Sequence, residues 1–276
     1  MASQKPVPAC LTIAGSDSGG GAGIQADLKA FARCGVHGMS AIAAITVQNT
    51  VAVEDFVAVD PEIIVGQVRV VAEDIGVDGV KIGMLADEVT IDAVVRALEY
   101  VGDAPVVVDP VMISESGSTL LAPEAKDELI ERVLPRADVI TPNVPEAIAL
   151  SGLGEHATQE ELAEALLELG PKAVLVTGGH TDENTDVLND GSGPAKIEGP
   201  RYPAGASHGS GCTHSSALCA FLARGFELPE AARRAKRVAS EAVGNGLRGI
   251  GAGAGPVDVF GIAKGASAGG PGAATS

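Results

Sequence analysis

The segment SHGSGCTHSSA at residues 207–217 places closely spaced glycines and a cysteine where a helix rich in small residues is predicted to begin. Successive backbone N–H groups in front of a helix can surround an anion, and the helix dipole adds attraction. Phosphate is the anion that we expect there. Cys212, beside the helix start, is predicted to have a lowered pKa if it is accessible. Alternatively, Cys212 lies with Cys219 on a buried helix face.

A second candidate site follows the predicted strand at 139–140, where the chain reads TPNVPEA. Asn143 and Glu146 are about one helical turn apart and therefore lie on the same side of the helix. Amide and carboxylate oxygens at this spacing suit a hydrated Mg²⁺ beside a nucleotide phosphate. An equally good interpretation is an Asn cap whose Glu closes a capping box. Asp109, at the end of another predicted strand, is a further candidate carboxylate for the metal.

The first glycine-rich segment, AGSDSGGGAGIQAD at residues 14–27, joins a strand to a helix. It contains a degenerate dinucleotide fingerprint, but the next strand ends in the amides Gln48 and Asn49 rather than in an acidic residue, which argues against that function. A flexible turn into a helix is the simplest alternative. Asp17 and Gln48 end successive strands, so they can present hydrogen bonds to a small ligand at the carboxyl edge of the sheet. The Walker motif G-x-x-x-x-G-K-[ST] does not occur, which argues against a P-loop NTPase.

Short runs rich in Val and Ile alternate with segments of helical period, which predicts βα units and a mainly parallel sheet. The predicted strands are 9–14, 41–47, 79–82, 106–108, 139–140 and 173–176. The predicted helices are 24–33, 61–74, 89–100, 123–134, 144–150, 159–169, 211–224 and 229–244. A period-two segment at 51–59 predicts a half-exposed strand in a small flap. This pattern indicates one α/β domain over residues 1–260, followed by a Gly/Ala/Ser-rich tail at 261–276 that is predicted to be disordered.

The chain has 276 residues, with 36 acidic against 19 basic residues and a formal charge of −17. This charge argues against nucleic acid or an anionic membrane surface as the main partner, because both need a concentrated positive field. The 46% hydrophobic content is sufficient for a globular core. The four cysteines form no C-x-x-C pair, and no apolar run approaches membrane-spanning length. We therefore expect a protein of the reducing cytoplasm that binds a small molecule.

Taken in order, these motifs resemble those of the hydroxymethylpyrimidine/phosphomethylpyrimidine kinases, which are ribokinase-like enzymes of thiamine biosynthesis. The stretches that carry the resemblance are AGSDSGGGAGIQADLKAF, QNT, KIGML, DPVM, TPNVPEA, GGH and HGSGCTHSSA, between Ala9 and Phe260. The resemblance implies a three-layer α/β/α sandwich with a mainly parallel central sheet and a small β flap. It also implies that a homodimer uses ATP and Mg²⁺ to phosphorylate 4-amino-5-hydroxymethyl-2-methylpyrimidine to its monophosphate and then to the diphosphate.

The resemblance further implies roles for individual residues. The substrate pocket would consist of Gln48 at the aminopyrimidine edge, with Gly15, Asp17, Thr46 and Met84 around the ring. Mg²⁺–ATP would lie near Asn143, Glu146, Asp109, Thr177, Gly178 and Gly179. The anion hole would consist of Gly209, Ser210 and Gly211, and Cys212 would act as the base where many ribokinase-like sugar kinases have Asp.

Thr177 departs from the family pattern, in which Lys often precedes the GGH motif. A threonine offers the transferring phosphates only a neutral hydrogen bond, which is weaker than a charged one. We therefore expect the second phosphorylation to depend on another positive charge, from Lys81 or from Mg²⁺.

Two other functions share many of these features. A pyridoxal or pyridoxine kinase has the same scaffold and also phosphorylates a hydroxymethyl group on a heteroaromatic ring, but Gln48 and Met84 favour the pyrimidine. A non-catalytic domain that senses the pyrimidine is the second alternative. It is disfavoured because the residues expected around the phosphates are intact.

Overall fold

The computed structural model of the protein describes residues 6–179, 184–202 and 205–264, which build a nine-stranded sheet with helices on both faces. The strands are β1 (Ala9–Ser16), β2 (His37–Gln48), β3 (Val53–Ala58), β4 (Gly79–Ile82), β5 (Val106–Val108), β6 (Val139–Ile140), β7 (Val174–Val176), β8 (Asp186–Asn189) and β9 (Ala195–Ile197). Their order across the sheet is β3-β2-β1-β4-β5-β6-β7-β8-β9. The strands from β2 to β7 in this order are parallel, β3 is antiparallel to β2, and β8 is antiparallel to both β7 and β9.

Polar caps define where several helices begin. The helices are α1 (Gly23–Arg33), α2 (Pro61–Asp74), α3 (Glu88–Ala97), α4 (Ala125–Glu128), α5 (Val144–Ser151), α6 (Gln159–Leu167), α7 (Ser210–Ala223) and α8 (Leu228–Gly244). The side chains of Asp60, Asp87 and Thr158 accept hydrogen bonds from backbone N–H groups two or three residues later. Such an oxygen satisfies N–H groups that the first helical turn leaves unpaired.

Alternate residues of the inner strands pack into two hydrophobic cores, one on each face of the sheet. Leu11 and Ile13 of β1 pack in the core that α2 to α6 cover, whereas Cys10 packs with α1, α7 and α8 on the opposite face. Strands that are buried on both faces have near-continuous apolar sequences, which is why the Val- and Ile-rich runs predicted them. The predicted three-layer α/β/α sandwich is confirmed.

The predicted flap is the far end of β2 paired with β3, from Ala44 to Gln48. The helix predicted at 123–134 is wrong in detail, because only α4 is α-helical there. A π-helical turn at Leu129–Val133 and a 3-10 turn at Leu134–Arg136 follow it. Pro135 lacks the backbone N–H that a continuing α-helix requires.

The predicted boundary between domain and tail stays a prediction, because residues 265–276 lie outside the described part of the chain. Within the described residues, no helix combines the length and the apolar character that crossing a membrane requires.

Candidate active site

The two glycine-rich segments pack directly against each other. Gly209 precedes α7 in a left-handed conformation with φ of 84°, and a Cβ there would lie 1.8 Å from the carbonyl oxygen of Gly21. A Cβ at Gly21 would in turn lie 2.2 Å from Cδ2 of His208. Only glycine fits at both positions. The start of α7, with Ser210, Gly211 and Cys212, is therefore held against the loop that leads into α1.

The Asp17 carboxylate organises the first glycine-rich loop. Its Oδ1 accepts from the N–H of Gly19 at 2.7 Å, and its Oδ2 accepts from those of Gly21 and Ala22 at 2.9 and 2.8 Å. Nε2 of His208 lies 3.0 Å from the same Oδ2. Burial alone would raise the pKa of Asp17, but these hydrogen bonds lower it. Asp17 therefore stabilises the first glycine-rich loop. Its predicted contact with a substrate stays a prediction.

The other predicted substrate residues lie together at the end of β1 and β2. The Thr46 hydroxyl is 2.7 Å from the Ser16 carbonyl oxygen and 3.2 Å from Oε1 of Gln48, so it can fix the orientation of the Gln48 amide. A Cβ at Gly15 would lie 3.0 Å from Sδ of Met84, so the thioether packs directly on the backbone there. A cavity of about 220 Å³ opens beside this group and is lined by Gln48, Asn49, Ser114, Glu115, His208 and Gly253, among others.

A buried ion cluster connects α1, β4 and the end of β5 to α7. Nζ of Lys81 lies 3.0 Å from Oδ1 of Asp27 and 3.6 Å from Oδ2 of Asp109. The hydroxyls of Ser216 and Ser215 donate to Asp27 and Asp109 at 2.7 and 3.0 Å. Burial alone would lower the pKa of Lys81, but the charges of Asp27 and Asp109 raise it. Lys81 is fully buried and paired with two carboxylates, and its expected role as a positive charge for the second phosphorylation stays a prediction.

Cys212 lies next to this cluster, and its pKa moves in the opposite direction from the one expected. Burial raises the pKa of the Cys212 thiol to about 12. The positive charge of Lys81 opposes that rise, and the carboxylates of Asp27 and Asp109 reinforce it. The N–H of Gly23 also favours the thiolate, but burial outweighs these helpful contacts. The expected lowering of the pKa by the helix start is therefore wrong for the protein as described.

The predicted nucleotide residues meet at the ends of β6 and β7. Asn143 and Glu146 form a complete capping box at the start of α5, with both hydrogen bonds at 2.9 Å. The capping box, which was the alternative interpretation of this pair, is therefore present. It does not exclude a second role for the pair beside a nucleotide phosphate. Burial raises the pKa of Glu146 to about 8, and the charge of Asp109 adds to the effect. The N–H of Thr177 donates to the Pro142 carbonyl at 2.8 Å, which brings the two loops side by side.

Gly178 joins this loop to a second buried ion pair. Its N–H donates to Oδ1 of Asp186 at 2.9 Å, and a Cβ there would lie 2.0 Å from the Thr185 carbonyl oxygen. The same Asp186 oxygen accepts from Nζ of Lys236 at 2.7 Å. Gly179 is exposed beyond it, and His180 of the GGH motif lies outside the described residues.

Comparison with known proteins decides the family. Residues 17–258 match the family described as phosphomethylpyrimidine kinase. The chain belongs to this family. The hydroxymethylpyrimidine/phosphomethylpyrimidine kinase of Rhizobium meliloti is 46% identical over 256 residues, which cover 91% of this chain and 96% of the relative. The resemblance in the sequence motifs is confirmed.

Solved structures agree with this placement. The phosphomethylpyrimidine kinase from Clostridium difficile has a TM-score of 0.74 at 44% identity, covering 83% of this chain and 96% of its own. The pyridoxal kinase from Staphylococcus aureus in complex with ADP has a TM-score of 0.85 at 32% identity, covering 94% and 95%. The ribokinase-like kinase fold predicted from the sequence is therefore confirmed.

Sequence reasoning missed several buried charges in this phosphomethylpyrimidine kinase family member. Asp27, Asp186 and Lys236 are 0, 1 and 5% exposed. In the sequence, a buried charge can be recognised as a charged residue inside an otherwise apolar stretch, and Asp27 in the helical segment GIQADLKAF is such a residue. Lys236 carries no such signal, because Arg233, Arg234 and Arg237 beside it are also basic, which is typical of a solvated helix face.

Proposed function

We propose that this protein transfers the γ-phosphoryl group of ATP to 4-amino-5-hydroxymethyl-2-methylpyrimidine and then phosphorylates the resulting monophosphate to the diphosphate, for thiamine biosynthesis. The observation that carries the proposal is the cavity that is lined by both Gln48 and His208, the residue before the Gly209–Cys212 segment. In a chain of this family, such a cavity offers an amide for the aminopyrimidine edge and N–H groups for phosphate oxygens. The Rhizobium meliloti relative carries the name of this same activity.

In the first phosphorylation, the hydroxymethyl oxygen bonds to the γ-phosphorus while the bond from that phosphorus to the oxygen leaving with ADP breaks. Backbone N–H groups at Gly209 and Gly211 neutralise charge on the transferred group, which is the main catalytic need in phosphoryl transfer. The predicted N–H contribution of Ser210 is not available in the same way, because that N–H donates to the Ser207 carbonyl oxygen at 2.9 Å. The alcohol proton passes to Sγ of Cys212. That step requires the thiolate, and the raised pKa of Cys212 keeps the thiolate scarce at neutral pH.

This mechanism predicts a steep pH dependence. The turnover number should rise about tenfold per pH unit below the pKa of Cys212, because only the ionised fraction accepts the proton. Cys212→Ala should lower the turnover number far more than it raises the substrate KM, and it should flatten the pH profile. Near-normal turnover in this variant, or a flat profile in the unmodified protein, contradicts the role of Cys212 as base.

Asp109 and Glu146 fit a divalent cation. The charge of Asp109 raises the pKa of Glu146, so the two carboxyl groups repel each other, and a hard cation with oxygen ligands relieves that repulsion. Among the described residues, no group of three His, Cys, Asp or Glu side chains is arranged to hold a metal. Mg²⁺ would therefore take most of its ligands from water and from the phosphates of ATP, whose charge it would neutralise. Asn143, Thr177, Gly178 and Gly179 surround the nucleotide side of this proposed site.

The alternative function is a pyridoxal kinase, which the structural similarity to the Staphylococcus aureus enzyme in complex with pyridoxal favours. A coupled ATP assay with the free pyrimidine, its monophosphate and pyridoxal distinguishes the two. We expect the pyrimidine and its monophosphate to be consumed with a kcat/KM well above that of pyridoxal. A preference for pyridoxal would replace the proposed function with the alternative one.

We also propose that the protein is a cytoplasmic homodimer. The outer face of the flap exposes Ile45, Val47 and Val57 by 51, 54 and 61%, and Ile45 and Val57 are direct cross-strand partners. An apolar face of this kind on a soluble chain suits a second copy of the same surface. The four free cysteines are consistent with a reducing compartment. Light scattering of the unmodified protein and of Val57→Lys tests the dimer, and we expect the variant to be monomeric.

A further inference from the structure

The Glu115 carboxylate spans the cavity and contacts the residues that precede the anion hole. Its Oε1 accepts from the hydroxyl of Ser207, 92 residues further along the chain. Its Oε2 lies 3.5 Å from Nδ1 of His208. The opposite ring nitrogen of His208 lies 3.0 Å from Asp17, so two carboxylates flank one imidazole. A carboxylate therefore contacts Ser207 and His208, the two residues that precede Gly209.

These contacts are the ones that a phosphate oxygen would use. A hydroxyl donor and an imidazolium lie side by side, immediately before the helix start that binds anions in the proposed function. Hydrogen bonds to Asp17 and Glu115 raise the pKa of His208 to about 9, so the ring is cationic at neutral pH. Displacing Asp17 would break the hydrogen bonds that hold the first glycine-rich loop, so Glu115 is the carboxylate that we expect a phosphate to replace.

Glu115 is carried on a small, self-contained loop between β5 and α4. Ile113 and Thr119 form an isolated bridge, and the N–H of Ser114 donates to the Ser118 carbonyl oxygen at 2.8 Å. The N–H of Gly117 donates to the Ser114 carbonyl oxygen at 2.9 Å. The Glu115 side chain is 30% exposed. The loop hydrogen bonds named above join backbone groups and do not use the Glu115 carboxylate.

We propose that Glu115 holds the place of a phosphate group, and that the phosphate of the pyrimidine monophosphate displaces it from Ser207 and His208. Ser207 and His208 then form the subsite that recognises the phosphorylated substrate, while Glu115 competes for that subsite. The inference rests on the proposed second phosphorylation. It also replaces Lys81, which is buried and paired, with His208 as the protein's positive charge for that step.

The first experiment compares the KM values of the free pyrimidine and of its monophosphate in Glu115→Gln. Glutamine keeps a hydrogen-bond acceptor for Ser207 but removes the competing charge. We expect the ratio of the monophosphate KM to the free-pyrimidine KM to fall about fivefold, which is the effect of one partly exposed ion pair. Glu164→Gln, an exposed glutamate of α6, is the matched control and should leave the ratio unchanged. An unchanged ratio in Glu115→Gln overturns the inference.

The second experiment uses inorganic phosphate as the probe and does not depend on turnover. Calorimetric titration should show tighter phosphate binding to Glu115→Gln than to the unmodified protein, and weaker binding to His208→Gln. In the double variant, the gain from Glu115→Gln should disappear, because the charge for which Glu115 competes is gone. An undiminished gain in the double variant overturns the assignment of His208. If the unmodified protein phosphorylates no pyrimidine, the proposed function has failed, and the phosphate titration still decides whether Glu115 blocks an anion site.

Discussion

Replacing Glu146 by glutamine should stabilise the protein without nucleotide while it removes the proposed activity. The Glu146 side chain is buried at the start of α5, where it accepts from the N–H of Asn143 and lies near the charge of Asp109. Glutamine retains an acceptor oxygen for the capping box, which uses Glu or Gln at this position. It removes a carboxyl group that the surroundings keep from ionising. The substitution therefore removes the ionisable group at this position but keeps the helix cap.

The size of the effect follows from the pKa of Glu146, which rises from its ordinary value of 4.5 to about 8 on folding. An acid whose pKa rises on folding contributes stability that is fully present below pH 4.5 and is lost as the pH rises to about 8. At about 1.36 kcal/mol per pKa unit, the loss reaches about 5 kcal/mol. Local rearrangement in the charged state reduces it, so we expect Glu146→Gln to gain at least about 2 kcal/mol at pH 8 and less than about 1 kcal/mol at pH 5.

Urea unfolding at pH 5, 6.5 and 8, without nucleotide or metal, measures this gain. The matched control is Glu161→Gln, because Glu161 holds the same capping-box position in α6 but is exposed. The backbone N–H and the hydroxyl of Thr158 lower the pKa of Glu161, so its replacement should not stabilise the protein at any of these pH values. A Glu146→Gln variant that is no more stable than the unmodified protein at pH 8, or that gains equally at pH 5, would refute the reasoning. The same variant should lose ATP-dependent turnover.

Three further substitutions test the buried framework of the site. Lys81→Met leaves two buried carboxylates without their cation and should destabilise the protein by about 3 to 5 kcal/mol in urea unfolding, and adding Asp27→Asn should restore part of that loss. Gly209→Ala should lower the melting temperature and abolish activity, since its Cβ would overlap a carbonyl oxygen, whereas Gly211→Ala, with open space around its Cβ, should fold normally in the same melting experiment. Asp186→Ala should raise the KM for ATP more than Asp186→Asn does, because only asparagine can still accept from the N–H of Gly178, which is proposed to lie beside ATP.

The sheet and most helices were predictable from the sequence because burial on both faces leaves a local signal. The strands at 79–82, 106–108 and 139–140 have the bounds that the Val and Ile runs indicated, and α2 begins at the proline after its Asp60 cap. The segment after α4 was not predictable from its apolar period alone. The predicted helix runs without a break to residue 134, whereas the backbone hydrogen bonding changes from α to π at Leu129 and then to 3-10 at Leu134.

The candidate site was only partly predictable, because its energetics depend on pairs that are distant in sequence. His208 lies 191 residues after Asp17, and Lys81 lies 54 residues after Asp27. The sequence motifs identified Asp17 and Lys81 as candidate residues. They could not show which residue pairs with each of them in the folded chain. Motif reasoning therefore treated Lys81 as a free cation and gave Cys212 the lowered pKa that a helix start favours. The lowered pKa of Cys212 was wrong because burial in the folded chain, which the motif does not show, disfavours the thiolate.

The chain's charge of −17 poses a problem for a protein that is proposed to bind several phosphates, and the ion pairs around the site suggest how it is solved. Within the described part of the chain, three buried or nearly buried cations next to the site each face a carboxylate, namely Lys81 with Asp27, His208 with Asp17, and Lys236 with Asp186. Two of these carboxylates also accept from the backbone of a glycine-rich loop, Asp17 from Gly21 and Asp186 from Gly178. Asp17 and Asp186 thus fix the backbone of these two loops, and the cations keep the two carboxylates charged. We expect the attraction for phosphate to come from the start of α7 and from His208 rather than from net charge, so it should depend less on salt than binding by a cluster of surface lysines would.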